Sequence, residues 1–222
     1  FRPGAHLDRL RASARFLHMP FDMPDDGVRA VISELIERNE SPDATLRLTV
    51  TRGAVPGLRL EESCEPTILL TAKPLRRYPA ECYRRGCDLL ISTHRRYSGS
   101  PLAQHKTTNY LLPLLARREA ADAGMRGALI LNETGAVAEE SVSNVFFVRD
   151  DTLVTPPPHC GLLPGITRAV VLEIAREDGI PVAERPVAAA EIFECGEMFL
   201  TNSLMEVMPV RKVDRRRIGE ET

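Results

Sequence analysis

The chain has 222 residues, of which 43% are apolar and 27% charged, a balance that is ordinary for a soluble globular protein. Its 29 basic and 31 acidic residues leave a net charge of −2, and no aromatic residues are interleaved with its arginine pairs, so a nucleic-acid-binding surface is not expected. No apolar stretch reaches the ~18 residues of a membrane-spanning helix, and no signal peptide is visible.

The first 93 residues combine helical and strand patterns. An apolar stripe with helical spacing predicts a helix over 6–19, and a second follows over 25–39. Alternating or continuous apolar runs then predict strands over 45–50, 67–72 and 87–93, with turn residues at 51–57. We therefore expect an N-terminal α+β domain over 1–93. Residues 94–104, which contain Ser, Gly and Pro but few apolar residues, are predicted to be a linker.

The remaining part, 105–222, is predicted to be a second domain that is richer in strands. It opens with a predicted helix that has Lys106 at its start and ends at Gly124. The inner face of this helix is predicted to hold four apolar residues. The residues of that inner face are Leu111, Leu114, Leu115 and Ala121. Strands are predicted over 127–132, 144–150, 150–155, 197–202 and 206–210, and a loop leads into a helix over 163–177.

The cysteines and histidines do not suggest a disulfide framework or a metal site. Five cysteines are an odd number without a C-x-x-C pair, and the five histidines never occur at i, i+4 spacing. We expect a reducing, cytoplasmic setting and no metal ion. Arginine pairs such as Arg95-Arg96 are interpreted as solvated surface with some ion pairs.

Lys106 is the residue that points to chemistry. A lysine between a histidine and two threonines, at the start of an apolar helix, is either a solvated end residue or a reactive amine. A catalytic lysine most often forms a Schiff base with a substrate carbonyl or with pyridoxal 5'-phosphate (PLP). PLP would further require a helix N-terminus for its phosphate, a carboxylate for its pyridine nitrogen and a hydrogen-bond donor for its phenolic oxygen.

Each requirement has a candidate. In "LPGITR" (163–168), Ile166 and Thr167 occupy the first turn of a predicted helix, although ordinary capping would explain the same residues. Glu139 or Glu140 could supply the carboxylate, although two acids could also lie in a solvated turn. Tyr110 follows the lysine by one helical turn and could be the donor, or a core tyrosine.

The sequence resembles the class IV aminotransferase family, the fold-type IV PLP enzymes, through nearly its whole length. The blocks that carry the resemblance are "HLDRLRASA", "RLTVTRG", "HKTTNYL", "GALILNETGAVAEESVSNVFFV", "LVTPP", "GLLPGITR" and "FLTNSLMEVMPV". The family implies an α/β (α+β) fold with a small N-terminal α+β domain, a larger C-terminal pseudobarrel domain, PLP in the cleft between them, and a homodimer. It usually has strands before "FRPGAH" and continues beyond "IGEET", so we expect residues to be missing at both ends.

The resemblance implies a role for each matching residue at the reactive end of the cofactor. Lys106 would be the Schiff-base lysine and the acid/base that moves the substrate's α-proton. Tyr110 would bind the phenolic oxygen. The family's ring-nitrogen carboxylate lies five residues before the Asn of the "N-V-F" strand, and counting back from Asn144 gives Glu139 rather than Glu140.

At the phosphate end, the resemblance assigns four residues. Arg9 would contact the phosphate, Ile166 and Thr167 would offer it backbone N–H groups and a hydroxyl, and Ser203 would lie near the phosphate and the substrate carboxylate.

The family contains branched-chain aminotransferases, D-amino-acid aminotransferases and 4-amino-4-deoxychorismate lyases. The lyase releases a three-carbon fragment and gives 4-aminobenzoate and pyruvate for folate biosynthesis, whereas a transaminase leaves the amino group on the cofactor. Transaminases tend to carry small residues such as Gly-Thr-Ala after the late strand, where their backbone grips the substrate carboxylate. This chain has "TNSLMEVMPV" there, which is more similar to the lyases. The lyase is therefore our first expectation, the aminotransferases the alternative, and a non-catalytic family member a remote one.

Overall fold

The structure is a computed structural model that describes residues 1–54, 57 and 65–219. The turn predicted at 51–57 lies partly, and Cys64 wholly, outside the described residues. The chain divides into two compact units, Phe1–Arg77 and Tyr78–Thr222.

Unit 1 packs two helices and a hairpin around one small core. Its elements are α1 (Pro3–Phe16), α2 (Asp25–Arg38), β1 (Ala44–Thr51) and β2 (Thr67–Pro74). The two strands are antiparallel with Leu48 opposite Leu70. The buried apolar residues Leu7, Ala14 and Val28 come from the helical stripes that the sequence predicted, because those spacings bring them to one face.

Unit 2 is larger and consists mainly of strands. Its helices are α3 (Ala80–Arg85), α4 (Leu111–Asp122) and α5 (Ile166–Glu177). Its strands are β3 (Cys87–Arg96), β4 (Gly127–Asn132), β5 (Val137–Glu140), β6 (Asn144–Arg149), β7 (Thr152–Thr155), β8 (Val182–Glu184), β9 (Glu197–Asn202), β10 (Glu206–Val213) and β11 (Arg216–Arg217).

The strands of unit 2 form one curved sheet of nine strands within the described residues. The strand order is β5-β4-β3-β10-β9-β6-β7-β8, with β11 paired to β10. The two ends of this path meet, since the N–H of Val137 in β5 donates to the carbonyl of Val187 just after β8 at 2.8 Å, and Ala136 bridges Ala188. This closure confirms the pseudobarrel that the family resemblance implied.

One face of the sheet packs against α5. Phe146 of β6 and Phe199 of β9 stack with ring centroids 5.0 Å apart, and Leu172 and Ala175 of α5 lie in the same apolar cluster. This packing fixes the start of α5 beside the first residue of β6.

The division between the units comes earlier in the chain than the predicted linker at 94–104. Residues 94–96 continue β3, whose parallel pairing with β4 aligns Leu89 with Gly127. β3 also pairs with β10 in parallel. The segment from Tyr78 onward therefore belongs to unit 2, because strand pairing over long sequence distances outweighs the loop-like composition after residue 93.

Helix α4 begins later than the sequence predicted, and the face that it buries is not the predicted one. It starts at Leu111, so Lys106 lies in the preceding loop and not at the helix mouth, and Tyr110 is the N-cap residue. The predicted inner-face leucines are exposed, with 66% of Leu111, 60% of Leu114 and 45% of Leu115 accessible. The buried positions are Pro113, Ala116 and Ala120. Small residues let the helix lie close to β3 and β4, which a pattern weighted by leucines does not reveal.

The longest described helices, α1 and α2, have 14 residues each, and none in the described ranges is long and apolar enough to cross a membrane. The cysteines Cys82, Cys87, Cys160 and Cys195 are free. Burial raises the pKa of Cys87 to about 12 and that of Cys195 to about 11, so both remain protonated thiols at neutral pH.

Candidate active site

Glu139 is a buried carboxylate held by three partners. The guanidinium of Arg96, at the end of β3, forms an ion pair with Oε1 through Nη1. The N–H of Leu163 donates to Oε2 at 3.1 Å, and the side-chain amide of Asn144 donates to the same oxygen at 3.4 Å. Residues from three separate segments thus converge on one carboxyl group.

Burial raises the pKa of Glu139 to about 7, because desolvation of the carboxylate outweighs the opposing effects of the Arg96 charge and the Leu163 N–H. The side chain can therefore change its protonation state near neutral pH. A carboxylate has room for about four hydrogen bonds, and three are made, so Glu139 can accept one more.

The neighbouring Glu140 is also buried, but it accepts hydrogen bonds from the turn that directly follows it. It accepts hydrogen bonds from the hydroxyl of Ser141, from the N–H of Val142 at 3.0 Å and from the hydroxyl of Ser143 at 2.6 Å. Successive strand residues point to opposite sides of a strand, which separates the two carboxylates. These contacts distinguish Glu139 from Glu140, and the role of Glu139 at a ring nitrogen stays a prediction.

The start of α5 has unpaired polar groups. Its N-cap residue is Gly165, and no side chain within the described chain caps this end of the helix. The hydroxyl of Thr167 is buried and has no hydrogen-bond partner among the described residues. Free N–H groups and a positive helix-dipole end make this a site suited to an anion.

The first turn of α5 is held in place by the side chain of Arg168. Arg168 is buried and donates from Nη2 to the carbonyl of Pro156 at 2.9 Å and to the carboxylate of Glu184 at 2.8 Å. The arginine of "LPGITR" therefore holds the helix against β8 and the loop that follows β7. These two contacts give Arg168 a structural role, while its buried Nε has no hydrogen-bond partner among the described residues.

The loop before α5 is joined to the Glu139 carboxylate. Asn144 Nδ2 donates to the carbonyl of Leu163 at 2.8 Å as well as to Glu139. Arg96 Nη1 donates to the carbonyl of Gly161 at 3.1 Å. The carboxylate and the helix start thus belong to one connected group of side chains.

Lys106 lies in the loop between residues 101–104 and α4, with its amine 5.7 Å from the centre of the Tyr110 ring. This places the two residues together, although not on one helix face. Within the described residues, no hydrogen bond or ion pair joins Lys106 to Glu139.

The other two predicted phosphate residues belong to α1 and to the turn after β9. Arg9 belongs to α1 of unit 1, where its Nη2 is 3.5 Å from His6 Nδ1. Ser203 is exposed in the turn between β9 and β10. Their roles toward a phosphate stay predictions.

Sequence reasoning missed Arg96 and Asn144. Arg96 was grouped with the solvated arginine pairs and placed in the linker, whereas its side chain is only 15% exposed and pairs with Glu139. The signal was available in part, because a buried carboxylate requires a positive partner. Asn144 served only as a landmark for counting, and nothing in its neighbours' identity reveals its amide contacts.

The comparisons with known proteins agree on one family. The model of amino-transferase class IV matches residues 1–213. Branched-chain-amino-acid aminotransferase of Salmonella typhimurium is 31% identical over 224 residues, which cover 99% of this chain and 72% of that protein.

Solved structures of two activities are similar to this chain. The branched-chain amino acid aminotransferase of Escherichia coli superposes with a TM-score of 0.93 at 30% identity, covering 99% of this chain and 74% of that one. The 4-amino-4-deoxychorismate lyase of Pseudomonas aeruginosa superposes with a TM-score of 0.84 at 34% identity, covering 97% and 79%.

Proposed function

Because the chain belongs to the class IV aminotransferase family, we propose that it binds PLP and acts as a 4-amino-4-deoxychorismate lyase. The proposal has two parts: a cofactor site built around Glu139 and α5, and a substrate preference that follows from the turn after β9.

The start of α5 fits the phosphate of PLP. The buried Thr167 hydroxyl lacks a partner among the described residues, and a phosphate oxygen would supply one. The N–H groups of Ile166 and Thr167 lie in the first turn, where the helix dipole favours a dianion. Arg9 and Ser203 are proposed as further phosphate contacts.

Glu139 fits the protonated pyridine nitrogen of PLP. Its remaining acceptor position and its pKa near 7 allow it to hold or share one proton at that nitrogen. PLP, when bound, withdraws electrons from the carbon that carries the substrate's amino group. Glu139 supports this withdrawal by keeping the ring nitrogen positively charged.

Lys106 is proposed as the amine that holds the cofactor covalently and afterwards moves the substrate's proton. Its side chain lies in the loop before α4, with the amine 5.7 Å from the centre of the Tyr110 ring. Tyr110 is proposed to donate from its hydroxyl to the phenolic oxygen of PLP.

The turn after β9 is the observation that carries the lyase assignment. The side-chain oxygen of Asn202 accepts hydrogen bonds from the N–H groups of Leu204 and Met205, both at 2.9 Å. In transaminases of this family, backbone groups of small residues in this turn are expected to grip the substrate carboxylate. Here the N–H groups of Leu204 and Met205 already donate to Asn202, which argues against that form of carboxylate binding.

The proposed reaction needs no second substrate. Lys106 takes the proton from the ring carbon that bears the amino group, the bond between the neighbouring ring carbon and the ether oxygen breaks, and the ring becomes aromatic. The three-carbon enol leaves and takes up a proton to become pyruvate. Together, 4-aminobenzoate and pyruvate contain all atoms of 4-amino-4-deoxychorismate.

A branched-chain aminotransferase is the second candidate, because the Salmonella typhimurium relative has that name and its similarity covers 99% of this chain. The deciding experiment gives the PLP-loaded protein either 4-amino-4-deoxychorismate or L-leucine, L-glutamate and D-alanine. We expect 4-aminobenzoate and pyruvate from the first and no conversion of bound PLP to its amino form by the others. Rapid conversion by L-leucine without any 4-aminobenzoate would establish the aminotransferase instead.

Two variants test whether Asn202 decides between these activities. Asn202→Gly removes the acceptor and frees the N–H groups of Leu204 and Met205, so amino acids should convert bound PLP faster than in the unchanged protein. Asn202→Asp is the control, since it keeps the acceptor oxygen. Equal rates of PLP conversion in both variants would show that this turn does not determine the substrate preference.

We further propose that the protein is a homodimer, as the family resemblance implies. The exposed leucine face of α4 supports this, since an apolar patch of this kind is typical of an interaction surface.

A further inference from the structure

We propose that Asn144 is a positioning residue that fixes the distance between the two ends of the cofactor site, the Glu139 carboxylate and the start of α5. The inference rests on the proposed function, because it assumes that these two groups hold one PLP molecule. It assigns a task to a buried side chain that does not itself touch the reacting atoms.

Three groups form a closed ring of hydrogen bonds. The Leu163 N–H donates to Glu139 Oε2 at 3.1 Å, the Leu163 carbonyl accepts from Asn144 Nδ2 at 2.8 Å, and the same Nδ2 donates to Glu139 Oε2 at 3.4 Å. The peptide of Leu163 is therefore held through both its N–H and its carbonyl. A displacement of the carboxylate relative to the loop would break at least one of these bonds.

Gly165 supplies a second observation on the Asn144 side chain. A Cβ atom on Gly165 would lie 2.0 Å from Asn144 Oδ1, a distance that no side chain tolerates. The backbone of Gly165 has φ −73° and ψ 142°, values that any residue adopts. Glycine is thus required here for the space that Asn144 occupies and not for its backbone freedom.

These contacts connect the two ends of the site by a short path. Asn144 is the first residue of β6 and is buried. Its Nδ2 donates to the carboxylate, and its Oδ1 occupies the space that a Cβ on the N-cap residue of α5 would need. PLP has a rigid ring, so a site that binds its nitrogen and its phosphate together must keep these two ends at a fixed separation.

The first test compares Asn144→Ala with the unchanged apo-protein in three measurements. These are the dissociation constant of PLP, the pH midpoint of the absorbance of bound PLP, and the free energy of unfolding without cofactor. We expect PLP to bind roughly tenfold more weakly and the pH midpoint to move, because two site contacts are lost at once. A purely structural role would change the free energy of unfolding alone, and that result would overturn the proposal.

The second test is a double-mutant cycle with Gly165→Ala. Alone, this change should weaken PLP binding roughly tenfold, because the new methyl group displaces Asn144 or the helix start. In the Asn144→Ala background the methyl group enters vacated space, so the double variant should bind PLP about as well as Asn144→Ala does. Weakening of roughly 100-fold in the double variant, the result for independent sites, would contradict the coupling.

Other outcomes are also decisive. If Asn144→Ala does not fold, Gly165→Ala decides by itself, since its backbone angles suit alanine, and unchanged PLP affinity would overturn the proposal. If the unchanged protein binds PLP but the variants match it, only the role of Asn144 fails. If the unchanged protein does not bind PLP at all, the proposed function fails together with this inference.

Discussion

Glu139 and Glu140 show how one residue of register separates a candidate chemical group from a structural one. Both are buried, but Glu139 meets Arg96 and the loop before α5, whereas Glu140 accepts hydrogen bonds only from its own turn among the described residues. The difference follows from the strand, in which neighbouring side chains point to opposite sides.

Replacing each acid by glutamine should therefore give different results. Glu139→Gln removes the charge opposite the proposed ring nitrogen, so turnover should fall by ~100-fold or more while the fold is kept. Glu140→Gln loses one acceptor in the 141–143 turn, so the free energy of unfolding should fall by ~1–3 kcal/mol with a smaller effect on turnover. Steady-state kinetics and urea denaturation of both variants measure this, and the opposite order of kinetic defects would show that the register assignment is wrong.

The raised pKa of Glu139 predicts a pH dependence of stability in the apo-protein. The folded state holds the proton with a pKa of about 7, above the ordinary value of 4.5, so protonation stabilises the folded state. This contribution is fully present below about pH 4.5 and is lost as the pH rises to about 7. The measurement is the difference in unfolding free energy between the unchanged protein and Glu139→Gln across this range. A difference that does not change with pH would mean that Glu139 is already ionised throughout.

At the residue scale, sequence reasoning singled out Glu139 but not the residues that hold it. Glu139 could be singled out by counting from Asn144, because one short turn joins Glu139 in β5 to Asn144 at the start of β6. Arg96 could not, because its ion pair joins positions 43 residues apart in the chain. Such contacts depend on the parallel pairing of β3 with β4, which local patterns do not encode.

At the scale of single elements, α5 and α4 behave differently. Helix α5 begins at Ile166, within the predicted segment, since Pro164 and Gly165 mark its start and its apolar spacing is regular. Helix α4 was misplaced because its leucines are exposed and its buried face consists of small residues. The periodicity was correct in both, but its interpretation required knowing which face is covered.

The first turn of α5 allows a prediction about cofactor retention. Thr167→Ala removes a buried hydroxyl that has no partner among the described residues, so the protein without cofactor should be about as stable as before or slightly more stable. PLP affinity should fall by roughly tenfold, because a hydrogen bond to a charged phosphate is lost. Thermal unfolding and equilibrium dialysis measure the two effects, and equal PLP affinity in the variant would remove Thr167 from the phosphate site.

For the whole molecule, the sequence predicted two parts but not their boundary. The closure of the sheet between Val137 and Val187 and the inclusion of β3 in unit 2 both depend on contacts between distant segments. Local patterns predicted most strands of unit 2 individually, while the short β8 and β11 were missed because they contain three and two residues.

The proposed homodimer can be tested at the leucine face of α4. Leu111→Glu combined with Leu114→Glu should convert a dimer into a monomer, because two charges cannot be buried in an apolar interface without partners. Ile174→Glu is the control, since Ile174 is an exposed apolar residue of α5. Analytical ultracentrifugation measures the result. A dimer that persists in the double variant would place the interface elsewhere.

The central claim is that Lys106 holds PLP in this protein, and an absorbance spectrum tests it most directly. The purified protein is mixed with PLP and compared with Lys106→Ala and with Lys73→Ala, which changes an exposed lysine of β2. We expect the visible absorbance of lysine-bound PLP in the unchanged protein and in Lys73→Ala, and its loss in a folded Lys106→Ala. No such band in the unchanged protein with excess PLP, or a band that survives in Lys106→Ala, would contradict the claim.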